Sequence, residues 1–447
     1  MKYLSAFLLL AISLPPAATA TETPGNPAPN IIFVLTDDLG YGDLGSYGQE
    51  AIVTPEIDRM ADQGMRFTQF YSGAAVCAPA RSVLMTGLHT GHTTIRANFN
   101  VDGERVSLKD EDVTVAEILQ DAGYVTGMAG KWGLGEPETE GLPNDQGFDD
   151  WFGFLNQRNA HNYFPSQLWR NRERVTLDPD NNYSHDLCID FALDFIRDNA
   201  ENKFFLYLPL QVPHSQFVVP ETLYYGDKPW NDNTIAKAEM IARLDRDMGR
   251  MIDLLQDLGI DGDTIIFLTS DNGPDKQFIH PNPLNSAGDL RGGKRDLTEG
   301  GIRVPMIVRW PGKIPAGAVS DAMWYFPDVL PTFSDLAGTP ATVDHDGVSV
   351  YELLLGAADP LPERYLYWED HEGKEMLQAI RQGNWKGLRT GLDGALKLYD
   401  LSQDPGEEDN VAGAHPEMVN HLESLLDNAR TFTPHWPVGA SGSTVIF

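Results

Sequence analysis

Short apolar runs alternate along most of the chain with longer stretches in which apolar residues recur at helical spacing. The short runs are rich in β-branched and aromatic residues, as is typical of strands buried on both faces of a sheet. They fall at residues 31–35, 124–128, 204–208, 264–268 and 304–309. The predicted helices cover 113–122, 184–198 and 235–258. Strands that alternate with helices predict an α/β fold: a large, mostly parallel sheet sandwiched by helices.

The pattern changes near Pro340. Beyond it, turn residues separate four short strand-like runs, and a helix is predicted over 416–429. The runs fall at 365–368, 378–381, 385–389 and 397–399. This pattern predicts a small C-terminal antiparallel sheet with one helix. We therefore expect a large domain over 21–340 and a small α+β subdomain over 341–447.

Residues 1–20 have the features of a secretory signal peptide. Lys2 precedes an apolar stretch over 4–14, and Ala18-Thr19-Ala20 provides the small-x-small pattern that signal peptidase cleaves. The stretch is shorter than the roughly 20 apolar residues that span a bilayer, and no later run approaches that length. The sequence predicts a secreted or periplasmic protein with no membrane span; a retained anchor is disfavoured by the cleavage pattern.

Composition indicates a folded, acidic protein. Hydrophobic residues make up 42% of the chain, and the formal net charge is −32, from 65 acidic and 33 basic residues. The sequence contains no basic patch of the kind that nucleic acid requires, so we expect no nucleic-acid partner. An anionic substrate would need a local positive field against this overall charge.

Polar residues follow four of the predicted strands at the point where each strand ends or shortly after it. In an open α/β sheet, ligands bind beyond the carboxyl ends of the strands, so these groups are expected to converge on one site. The four groups are Thr36-Asp37-Asp38, Gly130-Lys131-Trp132-Gly133, Pro213-His214 and Ser270-Asp271-Asn272-Gly273.

The chain has two cysteines, which in an exported protein first suggest a disulfide between Cys77 and Cys188. Cys188 shares a helical face with apolar residues of the predicted helix 184–198 and is therefore interpreted as a small core residue. Cys77 lies in a predicted loop of small residues over 72–81 that has little to bury it. We therefore interpret Cys77 as open for chemistry.

Cys77-Ala78-Pro79-Ala80-Arg81 resembles the Cys-x-Pro-x-Arg signature of the formylglycine-dependent sulfatases of the alkaline phosphatase superfamily. The resemblance covers roughly residues 30–338 and implies an alkaline-phosphatase-like α/β fold. It also implies that a formylglycine-generating enzyme oxidises Cys77 to 3-oxoalanine (formylglycine). The accompanying motifs, all in the family's order, are 37–43, Gly130-Lys131-Trp132, Ser270-Asp271-Asn272-Gly273 and Gly300-Gly301-Ile302-Arg303-Val304-Pro305.

The resemblance implies a transesterification and elimination mechanism. The aldehyde hydrates to two hydroxyls; one attacks sulfur and displaces the alcohol, and the other then loses its proton so that sulfate is eliminated. The implied metal ligands are Asp37, Asp38, Asp271, Asn272 and the modified Cys77. Hard oxygen ligands suit Ca²⁺ or Mg²⁺ rather than zinc, and Ca²⁺ is favoured because it accepts irregular oxygen shells.

The family's cationic set is matched by Arg81, Lys131, His214 and Lys294. Arg81 is expected to hold the modified residue, and the two lysines to neutralise sulfate oxygens. His214 is expected to act on the hydroxyl that releases sulfate, because imidazole titrates near neutral pH. A lone lysine is more often a solvated surface charge, and Lys294 competes for its role with Arg291 and Arg295.

One position departs from the family, which commonly has a histidine where this chain has Gly133. Either activity is impaired, or another residue occupies the vacated space. We hypothesise that His161 reaches the site and supplies the missing imidazole or a substrate contact; a surface-loop histidine is the alternative. Arg158 and His280 are further candidate substrate contacts.

The sequence therefore predicts a sulfuric ester hydrolase that acts on sulfate monoesters, with sulfated carbohydrates as the favoured substrates. One alternative is a phosphonate or phosphodiester hydrolase of the same superfamily, some of which share the signature around Cys77. Another is a non-catalytic protein that binds sulfated glycans, for which Gly133 is the one supporting feature.

Overall fold

The computed structural model describes residues 28–357 and 361–438, so the predicted signal peptide lies outside the described residues. The strands are β1 (Asn30–Thr36), β2 (Met65–Phe67), β3 (Phe70–Tyr71), β4 (Val125–Lys131), β5 (Asp150–Phe154), β6 (Gln167–Arg170), β7 (Glu173–Thr176), β8 (Phe204–Pro209), β9 (Thr264–Ser270), β10 (Met306–Arg309), β11 (Ala318–Ser320), β12 (Trp324–Tyr325), β13 (Tyr365–Asp370), β14 (Leu377–Gln382), β15 (Trp385–Thr390) and β16 (Lys397–Asp400). The α-helices are α1 (Pro55–Asp62), α2 (Cys77–Thr86), α3 (Val115–Asp121), α4 (Ser184–Asp198), α5 (Asp232–Asp257), α6 (Glu299–Ile302), α7 (Val329–Ala337), α8 (Tyr351–Leu354) and α9 (Pro416–Asn428).

The main sheet has ten strands in the order β11-β2-β10-β9-β1-β8-β4-β5-β6-β7. Strands β9, β1, β8, β4 and β5 are parallel, which confirms the predicted mostly parallel α/β sheet. Strand β10, which the strand–helix alternation placed in the parallel sheet, runs antiparallel to β9. The connection from β9 to β10 contains only one short α-helix, α6, and a parallel crossover usually needs a longer element.

The central strands are apolar throughout because both faces of the sheet are covered. In β1, Ile31, Phe33 and Leu35 pack into one core, while Ile32 and Val34 pack into the other. Helices α2, α3 and α7 cover the first face, and α1, α4 and α5 cover the second. Two-sided burial explains why these strands have continuous apolar runs rather than alternating ones.

The helices that flank the site have clear local determinants. Thr114 and Glu117 form a capping box at the start of α3, and Asn231 caps α5 by accepting a hydrogen bond from the backbone N–H of Thr234. Helix α4 has the predicted bounds and buries Cys188 in the core, as interpreted from the sequence. Both cysteines are free.

Strands β13 to β16 form the predicted small antiparallel sheet, and α9 packs against it through Leu422 and Leu426. Buried polar contacts attach this sheet to the rest of the protein: the Nζ atom of Lys386 donates a hydrogen bond to Glu299 at 2.8 Å. In the part of the chain that the structure describes, no helix is long and apolar enough to cross a membrane.

Candidate active site

The polar groups that follow β1, β4, β8 and β9 meet at the carboxyl edge of the sheet. Asp37 directly follows β1, and Lys131 is the last residue of β4. The Nζ atom of Lys131 lies 2.5 Å from Oδ2 of Asp37, and both side chains are buried. His214, in the connection after β8, places Nε2 4.0 Å from Oδ1 of Asp37. The structure thus brings together groups that are far apart in the sequence.

Cys77 is the first residue of α2 and is only 4% exposed. The expectation of a small-residue loop with little to bury it is therefore wrong: Ala78 and Ala80 are small because they pack α2 into the core against the sheet. The Sγ atom lies 3.4 Å from Oδ1 of Asp37 and 3.6 Å from Nζ of Lys294. Burial, reinforced by Asp37, raises the pKa of the thiol to about 12, so unmodified Cys77 is a poor nucleophile at neutral pH.

Arg81 lies one helical turn after Cys77 and is completely buried. Its guanidinium donates two hydrogen bonds to Oδ2 of Asp271, at 2.8 and 3.2 Å, and another to the backbone oxygen of Lys131. These bonds join α2 to the ends of β4 and β9. Arg81 therefore fixes the position of Cys77 relative to the sheet edge.

Lys294 is the cation of the 291–295 segment that contacts the carboxylates. Its Nζ atom donates to both oxygens of Asp38, at 2.7 and 2.9 Å. Arg291 instead lies over the ring of Tyr399, 5.1 Å from its centroid. Of the cations in this segment, Lys294 is therefore the one that the structure places against Asp38.

The buried oxygen atoms at the sheet edge fit a hard divalent cation. Asp37, Asp38 and Asp271 are buried together, and burial and the charge of Asp37 raise the pKa of Asp271 to about 6. The Oδ1 atom of Asn272 is buried without a hydrogen-bond partner among the described residues. Ligand atoms of Asp37, Asp38, Cys77 and His214 lie within 4.8 Å of one another. Crowded carboxylates with an unpaired amide oxygen are a donor set of the kind that Ca²⁺ or Mg²⁺ takes.

His161 and His214 form one stacked pair, with ring centroids 4.2 Å apart and planes 24° from parallel. His161 comes from a short turn, Asn159–His161, and it reaches the site as hypothesised. Burial lowers the pKa of His161 to about 4 and also lowers the pKa of His214. Both shifts favour the uncharged imidazole.

A cavity of about 670 Å³ opens above Cys77. Arg158 lines it, whereas His280 is exposed and is not among the described residues that line it. Most of the wall comes from loops without a recognisable motif, which is why the sequence did not indicate these residues. Arg295, considered from the sequence as a rival of Lys294, also lines the cavity. The lining residues that were missed are Asn98, Phe99, Arg105, Gln157, Ser215, Asp275, Lys276 and Glu372.

The space beside Gly133 is taken by Gln157. A Cβ atom built on Gly133 would have three nearest neighbours, and all three are side-chain atoms of Gln157. The structure therefore supports the second of the two outcomes expected for this position, in which another residue occupies the vacated space. No motif around Gln157 pointed to it.

Family comparison agrees with this geometry. The sequence profile of the family described as "Sulfatase" matches residues 29–339. The chain belongs to the sulfatase family. Residues 292–431 of this sulfatase also match the family described as "N-sulphoglucosamine sulphohydrolase, C-terminal". The enzyme is a sulfuric ester hydrolase with the fold that the sequence predicted.

Known sulfatases are similar over nearly the whole length. This sulfatase is 33% identical to arylsulfatase A of Homo sapiens, over 96% of the chain and 92% of that protein. It is 31% identical to N-acetylgalactosamine-6-sulfatase of Canis lupus familiaris, over 96% of the chain and 91% of that protein. The crystal structure of Ps i-CgsB superposes with a TM-score of 0.81 at 28% identity, covering 90% of this chain and 92% of that one. Ps i-CgsB has also been solved in complex with k-i-k-neocarrahexaose.

Proposed function

We propose that this sulfatase is a secreted or periplasmic enzyme that removes sulfate from sulfated carbohydrates, using a formylglycine formed from Cys77 and a bound Ca²⁺ ion. The observation that carries the proposal is the position of Cys77, whose Sγ lies 3.4 Å from the carboxylate of Asp37 and 3.6 Å from the ammonium of Lys294. Two of the similar proteins are an N-acetylgalactosamine-6-sulfatase and a protein solved with k-i-k-neocarrahexaose, which supports a sugar substrate.

Residue 77 is where the nucleophile is required. It lies on the cavity wall at the start of α2, and its buried thiol has a raised pKa. Conversion to formylglycine by a formylglycine-generating enzyme would supply a hydroxyl nucleophile in place of that thiol. Arg81 holds this position by bonding Asp271 and the backbone of Lys131.

The cation would be held by Asp37, Asp38, Asp271 and Asn272, and it would supply positive charge next to the oxygens of the sulfate group. Ca²⁺ is favoured over Mg²⁺ because the set combines carboxylate and amide oxygens from two separate segments, and Ca²⁺ accepts such mixed, irregular oxygen shells. A phosphatase of the paired-zinc type is disfavoured, because such sites use more histidine ligands.

The chain's own side chains account for charge and proton handling. Lys131 and Lys294 approach Asp37 and Asp38 and would neutralise sulfate oxygens as negative charge develops. His214 is neutral and keeps Nε2 among the carboxylates and Cys77, so Nε2 is the atom that would exchange a proton with the group at residue 77.

The cavity carries positive charge against the overall charge of −32. Among the residues that the structure describes, five cationic side chains line it, against three acidic ones. Positive charge in a cleft attracts anions and increases their local concentration. The cations are Arg105, Arg158, Lys276, Lys294 and Arg295. An anionic substrate needs a local positive field in a protein of this overall charge, and these side chains supply it.

The proposal is tested with protein produced together with a formylglycine-generating enzyme. Mass spectrometry of the peptide around residue 77 is expected to show the aldehyde. Sulfate release is then measured from 4-nitrophenyl sulfate, N-acetylgalactosamine 6-sulfate and carrageenan oligosaccharides. Cys77→Ala is expected to abolish release, whereas the control Cys188→Ala, in the core of α4, keeps it.

Wild-type protein that carries the aldehyde but releases no sulfate would refute the proposed activity. Release from the aryl ester alone would refute the carbohydrate substrate. Export is tested separately by N-terminal sequencing of the mature protein, which is expected to begin at Thr21.

A further inference from the structure

Gln157 is a buried polar side chain that the proposed mechanism does not use. It lies between β5 and the turn Asn159–His161, is 9% exposed, and lines the cavity together with Cys77 and Lys294. Neither Nε2 nor Oε1 has a hydrogen-bond partner among the described residues. A buried amide left unpaired costs about 1–3 kcal/mol, so a side chain of this kind calls for an explanation.

The backbone at Gly133 explains the position of the Gln157 carboxamide at the cavity wall. Gly133 has φ +80°, in the left-handed region that favours glycine. A Cβ atom there would lie 2.2 Å from Nε2 and 2.7 Å from Cδ of Gln157. A side chain at residue 133 and the observed conformation of Gln157 therefore exclude each other. Gln157 takes this space, whereas His161 packs its ring on His214.

The chemistry of the carboxamide limits what can pair with it. Its NH₂ group donates hydrogen bonds and its carbonyl oxygen accepts them. The non-bridging oxygens of a sulfate ester only accept, so they would satisfy Nε2 and leave Oε1 unpaired. A hydroxyl group both donates and accepts, and it can pair with either atom. The ring of a sulfated sugar carries such hydroxyls next to the ester.

We infer that Gln157 is a specificity-determining residue that binds a hydroxyl of the sugar ring carrying the sulfate ester. This inference rests on the proposed function and extends it from the sulfate group to the alcohol part of the substrate. Binding gives one atom of the orphaned amide a hydrogen-bond partner, so a substrate without the hydroxyl leaves both atoms buried and unpaired and is disfavoured. An enzyme pocket built in this way distinguishes a hydroxylated substrate from its deoxy analogue strongly.

The experiment compares two esters that differ in hydroxyl groups. Gln157→Met keeps the length of the side chain and removes both polar atoms. It is expected to lower kcat/KM for N-acetylgalactosamine 6-sulfate, or for the carrageenan oligosaccharide if that is the better substrate, by about tenfold or more. Turnover of 4-nitrophenyl sulfate, which has no hydroxyl, is expected to stay within about threefold. Gln167→Met, an exposed substitution on β6, is the matched control and should change neither.

A double-mutant cycle makes the assignment specific. The cycle compares wild-type enzyme and Gln157→Met on the preferred sugar sulfate and on its monodeoxy analogues. Wild-type enzyme should turn over one of these analogues poorly. Gln157→Met should turn over that analogue and the parent sugar sulfate at similar rates. Equal loss on the aryl and sugar esters, or no loss on either, would overturn the inference. Aldehyde-bearing wild-type protein that turns over neither ester would overturn the proposed function, and this inference with it.

Discussion

The Nζ atom of Lys294 lies 2.9 Å from Nε2 of His214. An ammonium group has no lone pair, so Lys294 donates and Nε2 accepts, which requires an unprotonated imidazole at that atom. Burial lowers the pKa of His214, and the carboxylates of Asp37 and Asp38 only partly offset this effect. Lys294 therefore contacts a carboxylate, an imidazole and Cys77 at once.

Loss of Lys294 should impair turnover far more than loss of a neighbouring lysine. Lys294→Met removes the charge next to Asp38 and Cys77 and is expected to lower kcat/KM by about 100-fold or more. Lys276→Met is the control, because Lys276 also lines the cavity but is exposed and paired with Asp296. A similar loss in both variants would show that general positive charge, rather than the contacts of Lys294, matters.

Binding of Ca²⁺ should stabilise the fold, since the ion would bind the folded site and not the unfolded chain. After treatment with a chelator, Tm is expected to rise as CaCl₂ is added. At a free Ca²⁺ concentration of 100 times Kd, the free energy of unfolding should increase by about 2.7 kcal/mol. Asp38→Asn should reduce this rise. Asp275→Asn, which changes a carboxylate elsewhere in the cavity, should leave it intact. The metal assignment fails if Asp38→Asn responds to CaCl₂ as wild-type protein does.

Lys386 should be essential for attachment of the small sheet. It is buried beside two carboxylates, 2.8 Å from Glu299 and 2.9 Å from Glu407. Lys386→Met removes the buried ammonium that both carboxylates share and leaves Glu299 with Arg303 at 3.3 Å and Glu407 with the more distant Arg291 at 4.0 Å. It is expected to lower the free energy of unfolding by about 3–5 kcal/mol. Urea denaturation measures the change. Lys397→Met, on the exposed side of β16, should change it by less than about 0.5 kcal/mol; equal effects would contradict the prediction.

His89 should make the fold less stable in mild acid. Burial lowers its pKa to about 4, against about 6.5 in the unfolded chain. As pH falls from 6.5 towards 4, the unfolded chain binds a proton that the folded protein does not, so the free energy of unfolding falls. Between pH 6.5 and 5 this contribution amounts to about 2 kcal/mol.

His89→Gln should remove that part of the pH dependence. Urea unfolding of wild-type protein and His89→Gln at pH 7.5 and pH 5 measures it, because titrating groups that do not contact His89 contribute equally to both proteins. If the difference in unfolding free energy between the two proteins is the same at both pH values, His89 does not titrate as described.

Local sequence patterns predicted the elements that lie closest to the chemistry. The central strands were apparent because a strand covered on both faces must be apolar throughout. Cys77 and Arg81 are four residues apart, a spacing that places them on one face of α2. The convergence of Asp37, Lys131 and His214 followed from strand order alone, because parallel strands end at the same edge.

Features that depend on packing were harder to predict from the sequence. The small residues around Cys77 suggested an open loop, whereas they allow α2 to pack closely into the core. Strand β10 has the composition of its neighbours, and its composition contains no information on direction. Sequence could indicate that Gly133 leaves a vacant space, but only the fold brings Gln157 against it.

The sequence by itself determined the central parallel strands, the polar residues at their carboxyl edge and the motif around Cys77, because these depend on periodicity, strand order and short motifs. The tertiary structure decided which cation contacts Asp38, how deeply Cys77 is buried and which loops line the cavity. Those features arise from contacts between segments far apart in the chain, and such contacts leave no periodic signal in any one of them.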